Sequence, residues 1–489
     1  MPAAEHADHV TAPGGAAPPP TAPVARRTVV GYALGSVGTG GFGTLPGLVL
    51  AYYLTDTLGV AAGLASLVVT VPKVWDVLID PFVGARSDAS AARHGSRRRF
   101  LLAGALTLPP AFVLLFAAPP ALTGPAAAWW VVVTFVVAAT AFSVFQVPYI
   151  ALPAQIAPGY AARTRLLAPR IAVLALAILA FGGGGPLVRD AAGGGRTGYV
   201  VMAAVCGLVI GLGMLAAWWG APRGAADAGR AGPAGRAPDV APVAPEPRRG
   251  DAFRSGLTAL RELPAFRALL TTFVLQALAT GAMLAAAQYV ATYTLGSQSA
   301  VTFLFVALVA PALLVMPLAT RVARRIGKQR ALVAASVLFA LASALLLPAR
   351  WAPGAWVYVP VALAGVAYAG MQLYPLSMLP DVASVDARSR GRDRAGVLSG
   401  VWTAGETAGL ALGPTLVLAL LAVTGFVSST GTQVVDQPAP ALTGVAVAFS
   451  VLPALLVAAS LVPLARYHLP ADVVDHVADT VTDRPEAAR

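Results

Sequence analysis

The chain has 489 residues, of which 57% are hydrophobic and only 11% are charged. A soluble chain of this length carries about a quarter charged residues, so the composition excludes an ordinary soluble protein and indicates an integral membrane protein. The formal charge of +12 does not indicate nucleic-acid binding, because the basic residues lie in short loops between apolar segments and not along one surface stripe.

Residues 1–28 are rich in Ala, Pro and Thr and predict a disordered cytoplasmic tail, since they lack the charged start and apolar core of a cleaved signal. Twelve apolar segments follow, each long enough to cross a bilayer as a helix of about 20 residues. They lie at 29–54, 61–84, 100–120, 126–152, 166–188, 198–220, 266–294, 300–320, 331–349, 355–379, 397–424 and 441–465. The sequence therefore predicts an all-α membrane protein with 12 transmembrane helices.

The loops divide by charge. Twenty-five basic residues lie in the loops after even-numbered segments, against three in the opposite loops, Arg189, Arg196 and Arg350. The positive-inside rule then predicts that the even-numbered loops and both termini are cytoplasmic.

The longest connection, 221–265, is rich in Ala, Gly, Pro and Arg and predicts a flexible linker between two six-helix bundles, 29–220 and 266–466, with a cytoplasmic tail at 467–489. The basic loops recur at matching places in the two halves. This weak internal repeat is expected of two related bundles around a central cavity.

The second segment contains "VPKVWDVLIDPFVG", which places Lys73, Asp76 and Asp80 at bilayer depth. A charge there costs roughly 2.5 to 3.5 kcal/mol on insertion scales, so such a group faces protein or water. Asp76 and Asp80 are one helical turn apart and share a face with Lys73. Two carboxylates so placed can coordinate sodium or exchange a proton, which predicts a cation site. In the alternative, Lys73 neutralises them and the cluster only joins helix 2 to a neighbour.

Three polar residues in later segments extend the candidate site. Gln146 in helix 4 can ligate a cation through its carbonyl or form an interhelical hydrogen bond. Arg170 at the start of helix 5 can neutralise the carboxylates or bind substrate, or it can lie at the interface. Glu406 is the only acidic residue inside an apolar segment of the second half, which favours a coupling role.

Two further groups have both a functional and a structural interpretation. Gln288 and Tyr293 in helix 7 can line a sugar-like site, although tyrosines near helix ends are common at membrane interfaces. Asp88, Arg97 and Arg98 between helices 2 and 3 can form a latch that closes one conformation, or they can simply set topology.

Several chemistries lack their motifs. The chain has no GxxxxGK[ST] phosphate loop, which disfavours ATP-driven pumping, and no HExxH or clustered His and Cys. We therefore expect neither an enzyme nor a cofactor other than a coupling ion, Na⁺ or H⁺.

The motifs "GYALGSVGTG", "YYLTDTLG", "KVWDVLIDPFVGARSD", "APGYAARTRLLAPR", "SMLPDVASVD" and "GVLSGVWTAGE" resemble the major facilitator superfamily. Within it, the chain is similar to the melibiose permease-like glycoside–pentoside–hexuronide:cation symporters. The resemblance implies alternating access by two bundles, a cation site at Asp76 and Asp80, and a matching arginine at Arg170.

The resemblance also shows departures and further positions. Gly40 stands where the sugar-binding carboxylate of helix 1 is expected, Gln146 replaces the helix 4 carboxylate, and Ile150 replaces an aromatic residue. Thr407, beside Glu406, stands near the expected helix 11 lysine. The predicted substrate-binding or coupling set is Lys73, Gly40, Tyr149, Arg170, Gln288, Tyr293, Trp402, Thr403 and Glu406.

These features predict a monomeric, multi-pass plasma-membrane transporter that binds a small-molecule solute and no nucleic acid. The first hypothesis is cation-coupled symport of a sugar or related solute. The second is transport or export of an amphiphile, a lysolipid or secondary metabolite, which the departures on helices 1 and 4 favour. The third, from a different class, is a non-transporting membrane scaffold.

Overall fold

The computed structural model describes residues 25–94, 96–156, 160–223, 258, 260–390, 395–430 and 435–467. Regular structure in these ranges is helical, and twelve helical spans are long and apolar enough to cross a membrane. The predicted all-α architecture is therefore confirmed. Most of the predicted tails and of the linker 221–265 lies outside the described residues.

The first half contains six long helices. They are α1 (Arg26–Tyr52), α2 (Ala62–His94), α3 (Arg98–Phe116), α4 (Gly124–Ile156), α5 (Tyr160–Ala191) and α6 (Gly195–Gly220). A five-residue π-helix, Tyr53–Thr57, continues α1.

The second half repeats this arrangement with one interruption. Its helices are α7 (Pro264–Tyr293), α8 (Ala300–Ile326), α9 (Lys328–Ala344), α10 (Tyr358–Arg390), α11 (Ala395–Val423), α12 (Ala439–Phe449) and α13 (Val451–Ala465), with 3₁₀ turns at Leu347–Arg350 and Ala355–Val357. The last span, predicted as one helix, is divided at Ser450 into α12 and α13. Pro453 has no N–H to donate to the carbonyl of Phe449, so the helical ladder is interrupted there.

Helix α2 extends further than the sequence suggested. The apolar segment was expected to end at residue 84 and a loop to follow, but the helix continues through Pro81 to His94. Residues 85–94 are rich in Ala and Arg, which have high helix propensity. Asp88 therefore lies on α2 and not in a loop.

The two halves pack their helices in the same pairs. In the first half α1 packs against α5 and α6, α3 against α4 and α6, and α2 against α4; in the second α7 packs against α11 and α13, α9 against α10 and α13, and α8 against α10. This equivalence gives the structural basis of the repeat read from the basic loops. The main helix pairs between the two bundles are α1–α7, α2–α11 and α5–α8, with a smaller contact between α1 and α11.

The bundles touch at one side of the molecule. We call this the far side, where α1 ends and α2 begins, and the opposite one the terminal side, where α2 ends and α3 begins. Two hydrogen bonds at the far side cross between the bundles. One joins the hydroxyls of Thr70 and Thr415 at 2.6 Å, and in the other Thr302 Oγ1 donates to the carbonyl of Gly183 at 3.1 Å.

The same helices separate toward the terminal side. The face of α2 that meets α11 at Thr70 continues to Val74 and Val77, which are 57% and 72% exposed. On α11, the stripe that contains Thr415 continues to the exposed Ala408 and Ala404. The space between the bundles is therefore closed at the far side and opens at the terminal side.

Candidate functional site

The charged stripe of α2 faces α4, inside the amino-terminal bundle. The indole nitrogen of Trp75 donates to Thr140 Oγ1 at 2.8 Å, and the Asp80 carboxylate lies within hydrogen-bonding reach of the Ser143 hydroxyl. Thr140 and Ser143 are three residues apart on α4 and share a face with Gln146. The α2 carboxylates thus lie against a polar face of protein, as their burial in a membrane requires.

Lys73 lies beside Asp76 in this stripe but holds it loosely. Its Nζ is 3.4 Å from Asp76 Oδ2, longer than the 2.7–2.9 Å usual for a charge-assisted hydrogen bond, and 5.7 Å from the centre of the Phe135 ring. The other carboxylate oxygen, Oδ1, is buried without a hydrogen-bond partner among the described residues. A buried, unpaired carboxylate oxygen fits a cation or a proton as its missing partner.

Gln146 joins this region to α1. The Thr39 hydroxyl donates to Gln146 Oε1 at 2.8 Å, so the amide oxygen that was predicted to ligate a cation already accepts one hydrogen bond. A carbonyl oxygen has a second lone pair, which leaves Gln146 able to contribute to a cation site formed with Asp76 and Asp80.

Arg170 lies inside α5, at the start of the apolar span Pro169–Ala191, over two tyrosine rings of its own bundle. Its guanidinium is 5.9 Å from the ring centre of Tyr32 and 5.6 Å from that of Tyr149. Tyr149 is fully buried, and its hydroxyl bonds Ser36 Oγ at 2.9 Å and the Tyr32 carbonyl at 2.5 Å. Tyr149 therefore supports Arg170 from within the bundle in this conformation and does not border the open space.

Two other predicted binding residues also pack inside their bundles. Gly40 is buried, and a Cβ placed there would lie 2.8 Å from the Cβ of Ala177 on α5. Trp402 on α11 is 2% exposed and stacks on Phe273 of α7, with ring centres 4.3 Å apart. Gly40 and Trp402 were predicted to contact substrate, but close helix packing buries both in this structure.

The carboxyl-terminal bundle presents its polar groups on α10 and α11. Thr403 is exposed and Glu406 partly exposed on α11. Glu406 lies near Tyr368 of α10, whose hydroxyl accepts a hydrogen bond from Gln372 Nε2 at 2.7 Å. This cluster lies on the half of α11 that has separated from α2, so its carboxylate can contribute to recognition in the open space.

Gln288 and Tyr293 lie at the closed far side. Gln288 is fully buried and its Oε1 accepts a hydrogen bond from Arg189 Nη1 at 2.9 Å, while the Tyr293 hydroxyl donates to the Asp56 carboxylate. Sequence reasoning missed Asp56 and counted Arg189 among loop charges. The signal was present in "YYLTDTLG", where an acidic residue follows an apolar segment without a basic neighbour.

The predicted gating residues lie within one bundle. Arg97 Nη2 is 2.5 Å from Asp88 Oδ1 at the end of α2, and the Arg98 guanidinium lies 4.6 Å from the centre of the Trp218 ring on α6. The carboxyl-terminal bundle has a comparable pair, Lys328 Nζ and Asp381 Oδ2 at 2.6 Å. The structure thus brings Asp88 and Arg97 together, and their gating role stays a prediction.

A separate concavity of about 550 Å³ lies on the far side of the carboxyl-terminal bundle, between the α7–α8 connection and the start of α10, next to Phe303 and Tyr358. Its described lining contains no carboxylate and no basic side chain. It therefore lacks the charges expected of an ion-coupled site.

Comparison with protein families identifies the chain. A family model described as MFS/sugar transport protein matches residues 31–471. The chain belongs to this family. It is a multi-pass protein of the plasma membrane, and the family consists of transporters and not enzymes. These findings confirm the resemblance to the family, the expected localisation and the expectation that the chain is not an enzyme.

The similar curated proteins match over part of their length. YagG of Escherichia coli K12, whose name refers to glycoside/cation symport, is 29% identical over 154 residues, 32% of this chain and 33% of that protein. The glucuronide carrier protein homolog of the same strain is 30% identical over 157 residues, 32% of this chain and 34% of that protein. The chain therefore spans about a third of the length of the relatives it matches.

Solved structures of low identity share the fold. A bacterial homolog of the human lysosomal transporter Spinster, in an inward-facing conformation, gives a TM-score of 0.62 at 15% identity, covering 94% of this chain and 98% of that one. The nucleoside transporter NupG gives 0.61 at 12% identity, covering 91% and 100%. At such identities the similarity concerns the MFS fold alone.

Proposed function

We propose that this MFS protein is a secondary transporter that couples the movement of a sugar or related small solute to that of a cation, Na⁺ or H⁺, by alternating access. The observation that carries the proposal is the α2 stripe. Asp76 and Asp80 lie against a polar face of α4, and one Asp76 oxygen is buried with no hydrogen-bond partner among the residues that the structure describes. Placing charged groups at membrane depth costs free energy, so stability does not explain these carboxylates. Binding of a coupling ion does explain them.

In this mechanism different residues bind the ion and the solute. Asp76 and Asp80 hold the cation or proton, Gln146 offers an amide oxygen, and Lys73 neutralises one carboxylate when the ion has left. The solute occupies the space between the bundles, where Arg170 on one side and Glu406 on the other can bond hydroxyl groups. Ion binding neutralises the α2 carboxylates inside the amino-terminal bundle, which favours rocking of the two bundles about the solute.

The sidedness follows from the charge distribution of the loops. We propose that the terminal side is cytoplasmic, since the basic residues are concentrated there, and that the protein acts as a monomer. The structure then represents an inward-open conformation. The names of the relatives, glycoside/cation symporter and glucuronide carrier, support the substrate class over the third of their length that is shared.

Uptake into proteoliposomes tests the coupling. Radiolabelled glycosides, hexuronides and pentoses are offered with a sodium gradient or a proton gradient imposed separately. We expect accumulation driven by one gradient, and a loss of at least about tenfold for Asp76→Asn and Asp80→Asn, because each substitution removes one full charge of the ion site. Asp436→Asn is the matched control, since Asp436 is an exposed carboxylate in the far-side connection before α12.

Gradient-driven uptake that survives both helix 2 substitutions would contradict the assignment of the ion site. Accumulation of solute against its gradient with neither ion gradient imposed would contradict symport itself. Binding and exchange of solute without a gradient report the solute site separately from the ion site.

Two observations favour the second candidate, transport of an amphiphile. A Cβ at Gly40 would meet Ala177 and the Ile178 nitrogen at 2.8 and 3.2 Å, so α1 has no room for the sugar-binding carboxylate that the resemblance places there. Ile150, which replaces an aromatic residue, is 54% exposed. The same liposomes assayed with a lysophospholipid distinguish the two: lysolipid flux with no sugar flux would establish the second candidate.

A further inference from the structure

Asp56 lies at the centre of the far-side closure. It is 3% exposed and accepts hydrogen bonds from the Tyr293 hydroxyl of α7 and from Thr55 Oγ1, the latter at 2.5 Å. The Thr55 hydroxyl is also 2.8 Å from that of Tyr289. Two consecutive residues at the end of the first span thus reach two tyrosines of the other bundle.

The π-helix at Tyr53–Thr57 explains how Thr55 and Asp56, although adjacent, both reach the other bundle. Neighbouring residues of an α-helix point about 100° apart, whereas the wider π turn re-aims side chains locally and occurs mostly at functional sites. The backbone carries a third connection, because the Ser429 nitrogen and Oγ donate to the carbonyls of Thr55 and Asp56 at 2.8 and 3.0 Å. Ends of α1, α7 and the α11–α12 connection therefore meet here.

A buried aspartate at position 56 is energetically unfavourable for a contact whose only role is packing. A negative charge at the carboxyl end of a helix is unfavourable with the helix dipole, and a buried carboxylate without a cation loses its hydration. The ion pairs of the described residues do not include Asp56. The hydroxyls of Thr55 and Tyr293 hold the carboxylate while the bundles touch, but the bond from Tyr293 is lost when they separate.

A second polar contact lies nearby. Arg189 at the end of α5 is 1% exposed and pairs with Asp190 at 2.8 Å in its own bundle, and its Nη1 donates to Gln288 of α7 across the interface. Both contacts end on α7, and Gln288 and Tyr293 lie five residues apart there. Each can reform with water when the far side opens, so each can be broken and remade in a cycle.

We propose that Asp56–Tyr293 and Arg189–Gln288 form a two-point latch that holds the far side closed and must open for the site to face that side. The latch rests on the alternating access proposed above. It is distinct from the ion site on α2, and its residues contact neither Asp76 nor Asp80 in any hydrogen bond between described side chains. Weakening it shifts the molecule toward the conformation open at the far side.

Labelling of a single cysteine tests the latch without transport. The native Cys206 is replaced by Ala, and the reporter is Gly43→Cys on α1, because Gly43 is exposed and an added Cβ meets no atom within 4 Å. Vesicles are treated with a membrane-impermeant maleimide on one side. A separate variant, Asp436→Cys, identifies the preparation in which the far side faces outward.

We expect the parent reporter to react from the terminal side and hardly at all from the far side. Tyr293→Phe, which removes one hydroxyl, and Gln288→Leu should each raise the far-side labelling rate by about tenfold, the change expected for losing a hydrogen bond to a charged group. Tyr358→Phe is the control, since Tyr358 is a far-side tyrosine of the same bundle that lines the surface concavity.

Unchanged far-side labelling in both folded latch variants, with a melting temperature equal to that of the parent, would overturn the latch. Asp56→Asn gives a second route should Tyr293→Phe be poorly expressed. The labelling result is independent of the transport proposal. If the latch variants change far-side labelling but the protein shows no solute flux, the latch is supported and symport is contradicted. If the protein transports solute but labelling does not respond, symport is supported and the latch is contradicted.

Discussion

The Thr39 hydroxyl on α1 donates a hydrogen bond of 2.8 Å to the side-chain carbonyl of Gln146 on α4. This contact leaves the amide oxygen one further lone pair, and it joins the first helix to the face of α4 whose Ser143 lies within reach of Asp80. Gln146 occupies the position where the resemblance places a carboxylate, so the chemistry of this one residue should set the strength of ion binding.

Gln146→Glu should increase the affinity for the coupling cation. A third carboxylate adds a full negative charge to the oxygen ligands, and ligand charge tunes the affinity of oxygen-ligand cation sites. If the cation is Na⁺, we expect the sodium concentration for half-maximal uptake to fall by about tenfold, measured by sodium titration of proteoliposome uptake. Gln146→Leu removes the ligand oxygen and should raise that concentration. Identical titrations for the two variants would exclude Gln146 from the site.

Gly40→Ala should destabilise the protein, whereas Gly43→Ala should not. The added methyl at Gly40 meets Ala177 at 2.8 Å, and overpacking of this kind costs about 1–3 kcal/mol. At Gly43 the methyl meets nothing within 4 Å, and replacing a glycine within a helix stabilises it by roughly 0.5–1 kcal/mol. Thermal unfolding of the two detergent-purified variants checks the sign of each change. Equal shifts would mean that α1 and α5 are not packed this closely.

Arg170→Lys should weaken both stability and uptake. The guanidinium lies within cation–π distance of the Tyr32 and Tyr149 rings. A lysine ammonium lacks the planar, five-donor group and cannot form a bidentate bond to a solute. We expect a loss of about 1 kcal/mol in the free energy of unfolding, together with a larger rise in the KM for solute than fall in kcat. A purely structural arginine would lower the amount of folded protein and leave the KM of the remainder unchanged.

Paired cysteines should distinguish the two sides of the α2–α11 interface. The hydroxyl oxygens of Thr70 and Thr415 are 2.6 Å apart, which is close enough for a disulfide after substitution of both by Cys. Oxidation should lock the far side closed and stop transport, and reduction should restore it.

The matched pair replaces Val77 and Ala408, which occupy the same stripes where the helices have separated. It should cross-link only when the terminal side closes, and addition of solute and ion should increase its yield. A Val77–Ala408 disulfide that forms as fast as the Thr70–Thr415 one would contradict the open terminal side.

Much of the architecture was predictable because a bilayer leaves few choices. A segment of about 20 apolar residues must satisfy its own backbone hydrogen bonds, and the helix is the way a single segment does so. Composition predicted the twelve spans. The 3.6-residue period predicted that Asp76 and Asp80 lie on one helical face, and their charge predicted that this face is turned toward protein. The continuation of α2 beyond residue 84 and the break at Ser450 were not predicted. The first extends the helix through a polar stretch that hydropathy alone marks as a loop, and the second depends on local backbone geometry at a proline.

The sequence by itself determined that this chain is a twelve-span membrane protein with a costly charged stripe on its second helix, because hydropathy and helical spacing are local properties. Only the tertiary structure decided which residues meet across the bundles. It placed Gln288 and Tyr293 at a closed far side with Asp56 and Arg189, and it buried Gly40, Tyr149 and Trp402 in helix packing. Those pairings join residues up to 237 positions apart, and no local pattern encodes which conformation of a two-bundle molecule brings such residues together.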